Sequence, residues 1–253
     1  MGAPTIPVLE VDLGPGIRAF FTTRHGGGSK EPWASLNLGL GVGDEEAAVR
    51  ANRRLVDAVA GAPVRFATQV HGCDVATVHG LPHGSPGPES APEVDVLVTS
   101  ARGVPLGVYV ADCVPVLLAD SRAGVVAVAH AGRPGVEQDV VGAAVAAMLA
   151  AGARARDVRA VVGPAVCGDC YEVPPDLAAR VGERVPAAVA RTSWGTPALD
   201  LPGAVAAQLA LAGVTRVERL HRCTRTDPAF FSHRRSSAVG RPAGRFAGVV
   251  VRG

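Results

Sequence analysis

Short apolar runs rich in β-branched residues recur along the chain, and this pattern predicts strands. Several runs lack alternating polar positions, which indicates strands that are covered on both faces. The predicted strands are residues 19–23, 64–69, 94–99, 106–111, 114–119, 125–130, 158–162 and 246–251.

Helical segments with recognisable ends lie between these runs. The first begins at Asp44 as the N-cap, has two glutamates in its first turn and ends at Gly61. Three more are predicted over 136–151, 175–185 and 202–212. Strands and helices mix without strict alternation, so we predict an α+β layered fold with sheet inside and helices outside.

The chain of 253 residues is long enough to bury one sizeable core, and we expect a single domain over residues 1–253. Residues 81–92, rich in Pro, Gly and Ser, are predicted to form a surface loop. From His221 onward, polar and aromatic residues are dense between two apparent strands, which is typical of a functional loop.

Composition excludes several classes of protein. Hydrophobic residues make up 48% and charged residues 19% of the chain, which is typical of a folded protein. The net charge of +2 comes from dispersed arginines, so no nucleic-acid partner is expected. No apolar run reaches the roughly 18 residues of a membrane span, and the start of the chain lacks a secretory pattern. We therefore expect a cytoplasmic protein, in which five scattered cysteines are more suited to ligands or core positions than to disulfides.

Three potential metal ligands lie at the ends of predicted strands. His71 follows one run, Cys113 lies between two runs and His130 ends another. If they converge, two imidazoles and a thiolate suit zinc, with a fourth position open for water or substrate. Their wide spacing matches no local zinc signature, so a Cys113 nucleophile with a histidine base and no metal also fits.

A further pair of cysteines, Cys167 and Cys170, has CxxC spacing. There is no second such pair and no βαβ context, so we interpret these thiols as structural. Cys73, two residues after His71, is interpreted as a small core residue.

Seven motifs occur in an order that identifies a family resemblance. They are Thr-Thr-Arg-His-Gly-Gly-Gly-Ser at 22–29, Ser-Leu-Asn-Leu-Gly at 35–39, Gln-Val-His-Gly at 69–72, Ala-Asp-Cys-Val-Pro at 111–115, His-Ala-Gly at 130–132, Cys-Tyr-Glu-Val at 170–173, and Cys-Thr at 223–224 with Phe-Phe-Ser-His-Arg-Arg at 230–235. From about residue 17 onward, the chain resembles the multicopper polyphenol oxidoreductase family. These laccase-domain or YfiH-like proteins are also described as purine nucleoside phosphorylases with adenosine deaminase activity.

The resemblance implies an α-β-β-α layered sandwich, a His/Cys/His metal centre and purine nucleoside chemistry. It assigns the metal, which is Zn2+ or alternatively copper, to His71, Cys113 and His130. It also implies substrate or phosphate contacts, for which the candidates are Arg24, Ser35, Asn37, Arg133, His233 and Arg234. Asp112 and Glu172 are candidate proton handlers, although Asp112 is equally suited to orienting a ligand.

One motif departs from the family pattern. Where the family usually has His-Ala-Gly-Trp-Arg-Gly, this chain has Arg133-Pro134 after Gly132. Proline provides neither a donor nor a charge, so Arg133 would have to reach phosphate from a different direction. The family's Gly-Arg before the last strand is assigned to Gly244 and Arg245, because Phe246 begins that strand at once.

The predicted function is therefore a zinc-dependent purine nucleoside phosphorylase with adenosine deamination as a further activity. Its substrates would be adenosine, inosine or guanosine with phosphate. Alternatives are a peptidoglycan-precursor editing hydrolase, a copper-dependent polyphenol oxidase and a non-enzymatic binding module. Seven histidines are few for several copper ions. The sequence does not determine the oligomeric state, and a monomer is the default expectation.

Overall fold

A computed structural model describes residues 6–80 and 91–253, and two large sheets dominate it. The strands are β1 (Val8–Val11), β2 (Ile17–Thr22), β3 (Val75–Thr77), β4 (Val96–Thr99), β5 (Leu106–Val110), β6 (Val114–Asp120), β7 (Val125–Ala131), β8 (Arg159–Val162), β9 (Val189–Arg191), β10 (Pro197–Leu199), β11 (Arg216–Arg219) and β12 (Phe246–Arg252). The α-helices are α1 (Glu46–Ala60), α2 (Arg133–Glu137), α3 (Val140–Ala150), α4 (Pro175–Arg184), α5 (Leu201–Leu211) and α6 (His233–Ser237).

The two large sheets have different pairing patterns. One has four antiparallel strands in the order β1-β2-β12-β5. The other has six strands in the order β11-β8-β6-β7-β4-β3, with parallel pairs at both edges and antiparallel pairs between them. Strands β9 and β10 form a separate hairpin.

Alternation along single strands explains the layers. In β12, Val250 faces the core between the sheets, while Val249 faces the core beneath α1. In β6, Leu117 faces the inter-sheet core, while Leu118 packs in the core that contains α3 and α5. Because each sheet is covered on both faces, its inner strands, such as β6, β7 and β12, are almost entirely apolar. The predicted α-β-β-α arrangement is confirmed.

Most predicted strands are found within a few residues of the predicted bounds. The run at 64–69 is an exception, because it makes only the isolated bridges Arg65–Leu106 and Thr68–Glu93. That prediction was wrong, since an apolar run beside a sheet edge has the same composition as a strand within it. The sequence did not predict five short strands, which are β1, β3, β9, β10 and β11. The equally short β4 and β8 were predicted, because their residues are almost all apolar and buried, whereas β11 contains three charged residues.

The helix predicted over 136–151 is two helices, α2 and α3. Asp139 separates them, with a φ of 58°, and its side chain accepts a hydrogen bond from the backbone N–H of Gly142 as the cap of α3. The cap predicted for α1 is also shifted, because Glu45 is the N-cap and Asp44 instead accepts a hydrogen bond from the Asn37 amide.

Helix α6 was not predicted, and the predicted loop at 81–92 lies outside the described residues except for its last two positions. Among the residues that the structure describes, no helix combines the length and apolar character needed to cross a membrane.

Candidate metal centre and its cleft

The side chains of His71, Cys113 and His130 converge at one end of the six-stranded sheet. Cys113 directly precedes β6 and His130 lies near the end of β7, and the antiparallel pairing of these strands brings the two residues together. The candidate ligand atoms of all three lie within 4.8 Å of one another, and Cys113 Sγ lies 3.8 Å from His71 Nε2. Tetrahedral zinc places its nitrogen and sulfur ligands about 3.6 Å apart. The trio therefore fits one ion with a fourth position open.

One buried carboxylate, that of Asp95, holds two of these ligands. Its Oδ1 accepts a hydrogen bond of 2.7 Å from His130 Nδ1, which leaves Nε2 of that ring for a metal. The same carboxylate accepts from the backbone N–H groups of Val70, His71 and Gly72 at 3.2, 3.1 and 2.7 Å. Burial raises the pKa of Asp95, but hydrogen bonds from His130 and this backbone lower it below its usual value. The carboxylate is therefore a fixed negative charge behind the centre.

The backbone at the centre adopts conformations that few residues tolerate. His71 has a φ of 61°, in the left-handed region, and this turn aims the three N–H groups at Asp95. Gly132 follows β7, and a Cβ there would lie 2.5 Å from His71 Cδ2 and 3.3 Å from Cys113 Sγ. Only glycine leaves room for both ligands.

Charges and hydrogen bonds within the trio shift the pKa values of Cys113 and His130 in opposite directions. Burial raises the pKa of Cys113, but the charge and hydrogen bond of His130, followed by those of His71, lower it to about 6. Burial lowers the pKa of His130, but Cys113 and Asp95 raise it to about 9. The environment therefore favours the thiolate form of Cys113, which is the form that binds metals.

Asp112 adjoins the centre but faces a different part of the chain. Its φ is 90°, its Oδ1 accepts a 2.6 Å hydrogen bond from Thr224 Oγ1, and its Oδ2 accepts one of 2.6 Å from the backbone N–H of Arg234. Both carboxylate oxygens of Asp112 therefore bind groups of the C-terminal segment. These contacts favour positioning over proton transfer.

The centre opens into a cleft of about 820 Å³, which His71, Cys113 and His130 all line. Eight residues with basic side chains besides the two histidines of the trio also line it, and they are Arg50, Arg53, Arg54, Arg65, Arg133, His233, Arg234 and Arg245. Tyr171 lines the cleft too, with the Arg234 guanidinium 4.8 Å from its ring centroid. The cleft therefore combines cations with an aromatic surface beside the candidate metal.

The side chains of Arg24, Ser35 and Asn37 do not line this cleft. Arg24 Nε donates to the Ala34 carbonyl at 2.7 Å, and Ser35 Oγ donates to the Arg24 carbonyl at 3.2 Å. Asn37 is fully buried and bonds Asp44. Contacts with protein groups occupy all three, and their part in phosphate binding stays a prediction.

Glu172 is also turned away from the cleft, because its Oε2 accepts a 3.2 Å hydrogen bond from Trp194 Nε1. Its role as a proton handler is a prediction that this position does not support.

Sequence reasoning missed Asp95, Tyr171 and Arg245 as members of the site. The signal for Asp95 was present, since it interrupts the apolar run 94–98, and an acid within a buried strand requires a partner. Tyr171 and Arg245 lie in family motifs, but a motif does not show where a side chain points, and only the fold shows that both residues line the cleft.

Comparisons with known proteins agree with this fold and site. Residues 18–253 match the family model described as "Multi-copper polyphenol oxidoreductase laccase". "Purine nucleoside phosphorylase ORF3" of Streptomyces griseus is 51% identical over 227 residues, covering 88% of this chain and 91% of that protein. "Purine nucleoside phosphorylase Rv2149c" of Mycobacterium tuberculosis is 44% identical, covering 92% and 91%.

The crystal structure of the hypothetical protein YfiH of Bacillus licheniformis superposes with a TM-score of 0.85 and 29% identity, covering 99% of this chain and 97% of that chain. The match spans both sheets and the segments that carry the centre, and the resemblance drawn from the seven motifs is confirmed. The chain therefore belongs to the multi-copper polyphenol oxidoreductase laccase family.

Proposed function

We propose that the protein is a metal-dependent purine nucleoside phosphorylase whose metal is zinc. The observation that carries the proposal is the convergence of His71, Cys113 and His130 at the wall of a cleft that cationic side chains also line. The names of the relatives support the reaction, and the family and those names indicate an enzyme.

The donor set suits the proposed ion. Two imidazoles and one thiolate within 4.8 Å form a nitrogen–sulfur set typical of catalytic zinc, and Asp95 orients one imidazole from behind. When bound, the ion supplies Lewis acidity at its open coordination position. The same donor types also bind copper, so the identity of the metal is part of the proposal.

The cations give the cleft a place for phosphate. Arg133 is the first residue of α2 and lines the cleft, so the arginine shift in the family motif leaves a guanidinium there. Pro134 occupies the first turn of α2, where its missing N–H costs no helical hydrogen bond. Arg133 also donates to Glu137, which fixes its direction. Arg234 and Arg245 add two guanidinium groups at the cleft. Nη1 of each donates to backbone carbonyls, so their other N–H groups would be the donors to phosphate oxygens.

In phosphorolysis, a phosphate oxygen forms a bond to C1′ of the ribose while the C1′–N9 bond breaks and its electron pair passes to the purine. Arg133, Arg234 and Arg245 would hold the phosphate anion against C1′. Tyr171 and Leu201 would provide apolar contact for the nucleoside. Adenosine deamination is a second proposed reaction of the same centre, in which a water oxygen forms a bond to C6 of the purine, the exocyclic C6–N bond breaks and ammonia leaves.

Product analysis tests the proposal. Zinc-loaded protein is incubated with adenosine, inosine or guanosine, with and without phosphate. Free base and ribose 1-phosphate formed only with phosphate support phosphorolysis, and inosine formed from adenosine supports deamination. Cys113→Ala should abolish both, whereas Cys73→Ala, which alters a thiol outside the centre, should not. Full activity in Cys113→Ala, or no product from the zinc-loaded wild type, would contradict the proposal.

A copper-dependent polyphenol oxidase is the second candidate, because the family description names that activity. A multicopper centre needs several ions, whereas only one cluster of three potential ligands among residues 6–80 and 91–253 contains histidine. A copper oxidase of this chain would therefore use a single ion. Oxidation of a catechol by copper-loaded protein, compared with zinc-loaded protein, separates the two candidates.

A further inference from the structure

A second cluster of thiols lies outside the candidate metal centre. The sulfur atoms of Cys167, Cys170 and Cys223 lie within 4.8 Å of one another, and none of the three residues lines the cleft. Cys170 is buried, the other two are half-buried, and all three are free thiols. Three mutually close thiols are more than a disulfide requires, since a disulfide would join two and leave one.

Two separate segments of the backbone build this cluster. Cys167 and Cys170 lie in a tight turn, in which the Cys167 carbonyl accepts from the N–H groups of Cys170 and Tyr171, each at 3.0 Å. Cys223 belongs to the C-terminal segment, and an isolated parallel bridge between Cys223 and Ala165 holds it beside the turn. The sequence provides CxxC spacing without a second pair, and the fold adds the third thiol.

We propose that Cys167, Cys170 and Cys223 form a second metal site that binds a thiophilic cation of the zinc class through three thiolates. A tetrahedral zinc ion with Zn–S bonds of about 2.3 Å separates its sulfur ligands by about 3.8 Å. Sulfur atoms within 4.8 Å reach that spacing by small side-chain rotations. The C-x-x-C turn also occurs in structural zinc sites, where it presents two thiolates to one ion.

The surroundings suit the charge of such a complex. Three thiolates and a divalent cation sum to one negative charge, and Arg225 lies beside the cluster. Its Nη1 donates to the Cys170 carbonyl at 3.1 Å, and its guanidinium lies 4.8 Å from the Trp194 ring centroid. Because Cys167 and Cys223 are partly exposed, solvent can reach the cluster, and water is available as a fourth ligand.

The bound ion would link two segments of the cleft wall. Cys170 immediately precedes Tyr171, and Cys223 immediately precedes Thr224, whose hydroxyl donates to Asp112. A cation there would fix these segments relative to each other, as a structural zinc ion does. This inference does not rest on nucleoside chemistry and would stand if the proposed reaction were wrong.

Zinc stoichiometry tests the site directly. Reduced, metal-free full-length protein is loaded with zinc, freed of excess ion by gel filtration and analysed for metal content. We expect two ions per chain in the wild type and one in each of Cys167→Ser, Cys223→Ser and Cys113→Ser. The matched control Cys73→Ser should keep two. Unchanged zinc content in both Cys167→Ser and Cys223→Ser overturns the proposal.

Alkylation tests the site without substituting any of its three cysteines. Reduced, metal-free Cys113→Ser protein is treated with iodoacetamide with and without zinc, and each cysteine is assayed by peptide mass spectrometry. Zinc should slow modification of Cys167, Cys170 and Cys223 together and leave Cys73 unaffected. No protection of the three, or a Cys167–Cys223 disulfide in the native protein with no zinc binding after reduction, overturns the site.

Discussion

The carboxylate of Asp95 links His130 and His71, the two histidines of the candidate metal centre. It accepts a 2.7 Å hydrogen bond from His130 Nδ1 and a 3.1 Å hydrogen bond from the backbone N–H of His71. Asp95 is only 1% exposed, so these bonds are shielded from water. The orientation of the His130 ring and the backbone turn that carries His71 therefore depend on a residue that binds no metal itself.

Asp95→Asn should weaken zinc binding by about 10- to 100-fold, the range typical of lost ligand-orienting partners. An amide has one acceptor oxygen and turns its NH2 group toward backbone N–H donors, so it cannot serve His130 and the His71 turn together. Competition titration with a chromophoric chelator measures the change. Asp74→Asn is the control, because Asp74 is exposed and lies shortly after His71 in the chain. This variant should bind zinc as the wild type does. Equal affinity in Asp95→Asn would contradict the orienting role.

The sequence predicts the layers and the metal trio for different reasons. The long apolar strands β6, β7 and β12 are recognisable because both of their faces are buried, so composition alone marks them. His71 and His130 are candidates because each lies at or just after the end of a predicted strand, although the run before His71 makes only isolated bridges. Their convergence could not be read from the residues, since it depends on how β6 pairs with β7 and on the turn at His71.

Contacts with the protein explain why other predicted residues fall elsewhere. Asn37 lies in a family motif, yet its amide groups bond Asp44 and the backbone of Gly39 and Arg245. A family motif shows that a residue type is required at a position. It does not show whether the residue is required for the fold or for binding and catalysis. Arg133 lines the cleft even though it departs from the family pattern, because α2 begins at that residue.

Gly132→Ala should damage the metal centre while leaving the fold intact. The added Cβ would lie 2.5 Å from His71 Cδ2, so that ring must move. Overpacking of this kind costs about 1–3 kcal/mol, which corresponds to zinc binding weakened by roughly 5- to 150-fold. Isothermal titration with zinc measures the loss.

Gly72→Ala is the matched control, because its Cβ would meet its nearest neighbours at an ordinary 3.7 Å. Similar zinc affinities for the two variants would show that the close approach of Gly132 to His71 does not matter.

Thr224→Val should destabilise the C-terminal wall of the cleft. The hydroxyl of Thr224 is fully buried and donates a 2.6 Å hydrogen bond to Asp112, so its loss leaves a buried charged acceptor with one partner fewer. We expect the free energy of unfolding to fall by about 1–3 kcal/mol. Urea unfolding measures it.

Thr226→Val makes the same chemical change at an exposed residue whose hydroxyl has only a 3.4 Å contact with the Cys223 carbonyl. If the free energy of unfolding fell as much in Thr226→Val as in Thr224→Val, the hydrogen bond to Asp112 would not be the cause.

Asp120 should make stability depend on pH at the far end of β6. Its carboxylate is 1% exposed and accepts 3.0 Å hydrogen bonds from the backbone N–H groups of Arg122, Ala123 and Arg154. Burial raises the pKa of Asp120, but these bonds lower it below its usual value. A group with a lowered folded-state pKa stabilises the fold above its unfolded pKa of about 3.9, and this stabilisation is lost as pH falls through the folded pKa.

Asp120→Asn should therefore reduce the free energy of unfolding by about 1–3 kcal/mol near pH 7, because the amide satisfies fewer of these N–H donors. The difference from the wild type should shrink as the pH is lowered below about 4, because the carboxylate of the unfolded state then takes up a proton while the native carboxylate stays ionised until the pH reaches its lower folded-state pKa. Urea unfolding across this pH range provides the measurement, with Asp74→Asn as the exposed control. A constant difference between Asp120→Asn and the wild type at every pH would show that the charge of Asp120 does not stabilise the fold.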